Sequence, residues 1–200
     1  MDPQRRPAWS TLFIPECAVA AHSRPTSDRM STLAEKIGKA DRLNVIAERI
    51  GFALWQLQEL EGAAAQYYVL IEKASPGMGI EAGQELLDEA LSKTFGKTVT
   101  RLLKSGQVPT ESMKRFQALL NERNWLVHNS RATSTSAVHD ELACIRLIER
   151  IDAIADEALN LLREVSKLAE TFILSKGFSQ QHINAAIHQA HKQVLSRSAI

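Results

Sequence analysis

The sequence predicts an all-α fold, an up-and-down helical bundle with two long helices, and three observations carry that prediction. Apolar residues recur at alternating steps of three and four over two long stretches, 46–71 and 148–172. Proline and glycine breakers such as "SPGMG" at 75–79 punctuate the periodic segments. No segment alternates apolar and polar residues in the manner of a half-buried strand. Two hundred residues suffice for one well-buried domain, which is expected over 31–200.

Residues 1–30 are expected to form a flexible tail, because four of the six prolines, Pro3, Pro7, Pro15 and Pro25, fall there without any sustained helical period. Thr32 and Glu35 have the spacing of a capping box, so the first long helix should begin near them, with Met30 an alternative initiator. Its stripe is Ile46, Ile50, Ala53, Leu57, Leu60, Ala64, Tyr67 and Ile71. After the break at 75–79 the chain should form one bent or two short helices, with Gly96 as the break and Gly106 as the C-terminal cap. Pro109 and Thr110 open the next helix. The polar run "NSRATSTS", 129–136, reads as a loop, and Ser136 as the cap of a second long helix over 137–176. A last helix is expected over about 179–196.

Composition narrows the function classes. With 24 basic and 23 acidic residues, the net charge of +1 provides no global basic field for non-specific nucleic-acid binding, so any such contact must be local. Cys17 and Cys144 form neither a disulfide framework nor a C-x-x-C pair, and a reducing cytoplasm is the expected home. The N-terminal "RRPAWSTLFIPECAVAAHS" imitates a signal peptide, but Pro15 and Glu16 split its apolar run. Nothing approaches the ~20 consecutive apolar residues that span a bilayer, so no membrane partner is expected. His182, His188 and His191 lack a completing acid or cysteine, and neither a metal nor an organic cofactor is expected.

The most informative stretch is "LLNERNWLVHNS", 119–130. On a helical wheel Phe116, Leu119, Leu120, Leu126 and Val127 share one side, and Arg123 lies at the centre of that side. Asn124 and His128 fall together on its flank, and Trp125 points the opposite way. A desolvated guanidinium requires a carboxylate, a phosphate or several carbonyls. One reading is therefore a structural ion pair with Glu59 or Glu61 of the first long helix. The combination points elsewhere: an anion clamp beside a polar group and a histidine able to move protons near neutrality are what metal-free phosphodiester cleavage needs.

"ERNWLVHNS" resembles the R-x4-6-H motif of HEPN domains, the higher eukaryotes and prokaryotes nucleotide-binding family, in the version where a polar residue follows the arginine. The resemblance extends over roughly 45–135, through "WQLQELEGAAAQYYVLIEKAS" and the helices before the motif. It implies a HEPN-like bundle that homodimerises so that two motifs share a cleft, and a metal-independent endoribonuclease acting as a toxin or anti-phage effector. In that reading Arg123, Asn124 and His128 are catalytic, Asn129 and Arg131 bind the RNA substrate, and Lys97, Arg101 and Lys104 lend support from the preceding helix. A regulatory or antitoxin protein is a further implied partner. In one subgroup a tyrosine that a partner enzyme modifies follows the histidine by two residues; here Ser130 stands in that place. The alternative implied by the same resemblance is a catalytically silent bundle serving as a nucleotide- or protein-binding scaffold.

Overall fold

The computed structural model describes residues 26–75 and 77–197. Among these it is all-α, with seven helices and no strand: α1 (Thr26–Glu72), α2 (Ile80–Leu91), α3 (Phe95–Ser105), α4 (Thr110–His128), α5 (Ser130–Ala137), α6 (Glu141–Ser175) and α7 (Gln180–Arg197). The chain divides into two compact units, 1–37 and 38–200. The described part of the first is helical, with Met30, Leu33 and Ile37 exposed.

The expected tail over 1–30 lies outside the described residues up to 25; from Thr26 onward the chain is helix. Thr32 and Glu35 consequently lie inside α1 rather than at its start.

In the second unit the two periodic stripes are what the core is made of. Along α1, Ile46, Ala53, Leu57, Leu60, Ala64 and Tyr67 are buried, with Ile50 and Ile71 half-buried beside them. Along α6, Ile151, Ala155, Ala158 and Val165 are buried. Between them α3 and α4 contribute Phe95, Val99, Leu102, Phe116, Leu119 and Leu126. Burying each large side chain stabilises the fold by roughly 1.5–3 kcal/mol relative to exposure. Arg42 Nε donates to the Val138 carbonyl at 2.8 Å, fastening α1 to the turn before α6. Tyr67 donates to the Gln107 carbonyl at 3.4 Å, and its burial pushes the phenol pKa up.

α1 ends ahead of the predicted breaker, and Gly77 takes φ +83° in the turn. α2 and α3 are separate helices, but they part at Ser92–Thr94 and not at Gly96. Gly96 sits in the first turn of α3, where a Cβ would lie 3.5 Å from Leu120 Cδ2, an ordinary van der Waals contact. Gly106, at φ +66°, caps α3 in the left-handed conformation expected of it.

The loop expected over 129–136 is instead α5. Its hydroxyls bond back to carbonyls one turn earlier: Ser130 to Leu126 at 2.5 Å, Ser134 to Ser130 at 2.7 Å and Thr135 to Arg131 at 3.0 Å. Hydroxyls that usually compete with a helix are here satisfied inside it, and Ser130, Ser134 and Ala137 are buried as α5 packs on α6. The second long helix therefore starts later than expected. Its cap is Asp140, whose carboxylate accepts from Leu142 N at 2.9 Å and Ala143 N at 3.3 Å, while Ser136 bonds Thr133.

Candidate functional site

Helix α4 starts behind Pro109, whose carbonyl accepts the first helical bond from Met113 N at 3.1 Å, and carries the motif to its C-terminal end. Three neighbours divide its surface. α6 runs antiparallel to it, because Arg115 reaches Glu157 and Glu164 while Glu122 lies beside Arg150. α3 doubles back on α4 across the short connection 106–109, with the Phe95 and Phe116 rings 6.3 Å apart and Gly96 against Leu120. α1 reaches it through Glu61.

The partner that Arg123 required is thus Glu61. Arg123 Nε donates to Glu61 Oε1 at 3.3 Å, and the two side chains are 32% and 28% exposed. Glu59, the other carboxylate considered, accepts from Trp55 Nε1. Only Nε of Arg123 is engaged; among the described residues its two Nη groups make no hydrogen bond. The guanidinium is held, but through one contact at the long end of hydrogen-bond range.

Asn124 and His128 are both exposed, one helical turn apart, and neither side chain has a hydrogen-bond partner among the described residues. His128 is turned about 140° from Arg123 around the helix, the consequence of a five-residue spacing at 3.6 residues per turn. Within the chain the arginine therefore faces α1 while the histidine faces outward. Asn129 and Arg131, the expected substrate contacts, are exposed at the junction of α4 and α5, where Asn129 N donates to the Trp125 carbonyl at 2.8 Å. A negatively charged ligand held by these side chains would meet only His128 and Arg131 as ionisable groups on this short stretch of chain.

Two features escape sequence reasoning. Trp125, expected to point away from the core, is half-buried: the Arg150 guanidinium lies 3.5 Å from its ring centroid and forms two bonds with Glu122, at 2.9 and 3.1 Å. No signal in the local sequence of α4 marks it, because Arg150 comes from α6. Glu61 also lines a cavity of about 160 Å³ together with Gln58, Lys93 and Thr98, so the residue holding Arg123 borders a small solvent space on its other side.

Among the described residues no group of three His, Cys, Asp or Glu side chains is arranged to hold a metal ion, and no helix is long and apolar enough to cross a membrane. His182 is tied to Ser179, the hydroxyl 2.9 Å from Nδ1, which gives that histidine a local role at the start of α7. Comparison with known protein families, with characterised proteins and with solved structures finds no match to this chain.

Proposed function

We propose that this chain is a HEPN-like, metal-independent endoribonuclease, acting as a homodimer with two motifs in one cleft and serving as a toxin or anti-phage effector. The observation that carries the proposal is the exposed, uncommitted pair Asn124 and His128 on the helix that also carries Arg123, whose Nη groups make no hydrogen bond among the described residues; because Arg123 faces α1 and His128 faces outward, the shared cleft of two motifs is what would bring the groups together. His128 takes the proton of a ribose 2′-hydroxyl, whose oxygen attacks phosphorus. The bond to the 5′-oxygen breaks, and that oxygen takes its proton from the protonated His128 of the second motif in the cleft. Arg123 neutralises the charge that develops on the phosphoryl oxygens. Asn124, one turn before His128, positions the ring or the phosphate, and Asn129 and Arg131 hold the flanking strand. The products are a 2′,3′-cyclic phosphate and a 5′-hydroxyl end.

The Arg123–Glu61 contact favours a second reading, a catalytically silent bundle that binds a nucleotide or protein. The two readings differ over Glu61. In the nuclease Arg123 must turn from the carboxylate to the phosphate, so Glu61→Gln preserves or raises activity. In the scaffold the same change only loosens the fold.

The test is cleavage of a mixed RNA pool in EDTA by wild type, His128→Ala and Glu61→Gln, with chemical analysis of the new ends. Cyclic phosphates produced by wild type and Glu61→Gln but not by His128→Ala are expected. A folded dimer that leaves every RNA intact would establish the silent reading in its place.

A further inference from the structure

Helix α3, "FGKTVTRLLKS", contains three cations and no acidic residue. Lys97, Arg101 and Lys104 stand at i, i+4 and i+7, on one face of the helix, about 6 and 4.5 Å apart along its axis. None of the three forms an ion pair among the described residues, although Arg49, Arg115, Arg123 and Arg150 all do. A run of unneutralised like charge costs self-repulsion that a balanced surface avoids, and the chain has 23 acidic residues with which to balance it.

Two surface depressions follow this stripe and meet at Arg101. One, of about 410 Å³, is lined by Thr94, Gly96, Lys97, Thr100 and Arg101. The other, of about 240 Å³, is lined by Tyr68, Glu72, Arg101, Lys104 and Ser105. Glu72 is the one acidic side chain in either lining. Arg101 lies 5.3 Å from the centroid of the half-buried Tyr68 ring, so an aromatic face and a guanidinium plane stand together where the depressions join. Cations spaced along a groove with an aromatic at its side are the elements of a single-strand nucleic-acid track.

The direction of the groove ties it to the motif. The start of α3 meets the middle of α4 across the four-residue connection 106–109, so the stripe runs from Lys104, near that connection, to Lys97, next to the contact of Gly96 with Leu120. Gly96, in the lining of the larger depression, abuts Leu120, and Asn124 and His128 follow Leu120 by one and two turns along the same i+4 ridge of α4.

We infer that the α3 groove binds a single-stranded RNA through its phosphates, with a base against Tyr68 and Arg101, and leads it toward Asn124 and His128. The choice of RNA rests on the nuclease reading above; the groove itself rests on α3. A one-residue-wide row of charge fits a strand better than a membrane, which would engage a broad apolar and basic face.

The test is fluorescence anisotropy with a labelled oligouridylate of about 12 nucleotides, long enough for one single-strand site. His128→Ala protein is compared with His128→Ala that also carries Lys97→Glu, Arg101→Glu and Lys104→Glu. Affinity should fall at least ~10-fold, and the slope of log K against log salt should shrink by about 2, three contacts at ~0.7 each. Should the triple reversal unfold the protein, Lys97→Gln with Lys104→Gln, both at exposed positions, should lower the slope by about 1.4. Unchanged affinity and slope overturn the groove, as does binding to anionic vesicles in the absence of RNA binding. Wild type that binds on the stripe but never cleaves defeats only the nuclease reading, and cleavage indifferent to the stripe defeats only the groove.

Discussion

Arg115 and Arg123 lie on the same face-to-face system of helices, eight residues apart on α4, and they are held in opposite ways. Arg115 makes three bonds to two carboxylates of α6: Nε to Glu157 at 2.7 Å, Nη2 to Glu157 at 3.0 Å and Nη1 to Glu164 at 2.7 Å. Ser112 donates to the remaining oxygen of Glu164, which closes the network. The hydrogen bond with Glu157 raises the Arg115 pKa against the opposing effect of burial. Arg123 has one bond to one carboxylate. A bidentate guanidinium fixes two helices in register, whereas a monodentate one leaves most of its donors for another anion. The first arrangement is what architecture requires, and the second is what a phosphate site can use.

The comparison is sharpened most by a substitution in the core beneath both arginines. Phe116→Ala, at a position 1% exposed, should cost roughly 3–5 kcal/mol of unfolding free energy in a denaturant titration. Against that scale Arg115→Met should cost about 2 kcal/mol, less than a fully buried pair because its partners are about a third exposed. Thermal melts would show this as a fall of about 4–8 °C. A loss as small as that of a surface pair would break the contrast from the Arg115 side.

Arg150→Ala, which removes the contact with Trp125 as well as the bonds to Glu122, should cost about 1 kcal/mol, and wild-type stability from this pair should be partly screened in 1 M salt. The smallest effect is expected at the motif itself. Arg123→Ala should lower stability by roughly 0.5–1 kcal/mol while abolishing RNA cleavage. If it destabilises as much as Arg115→Met and no cleavage exists to lose, Arg123 belongs with Arg115 as a structural residue.

Much of this arrangement is legible in the sequence because periodicity and desolvation are local arguments. The stripe from Ile46 to Ile71 marks the buried face of α1 without knowledge of what covers it. An arginine centred among Phe116, Leu119 and Leu126 must find a counter-charge, and Glu61 was one of two candidates. The choice between Glu59 and Glu61 was not legible, since two residues along a helix rotate a side chain by about 200° and only the position of α4 selects one. The α5 segment was misread for a related reason. A Ser/Thr-rich run has weak helix propensity, and its helix is held by back-bonded hydroxyls and by α6, neither of which appears in the run itself.

By itself the sequence determined the helical class, the long apolar stripes and the cap at Gly106, because each follows from spacing along one chain. Tertiary structure alone decided which carboxylate holds Arg123, that Trp125 lies beneath Arg150, and that the cations of α3 border two surface depressions that meet at Arg101 beside Tyr68. Those outcomes depend on how separate helices are rotated and packed against one another, a matter of side-chain interlocking that no single helical period encodes.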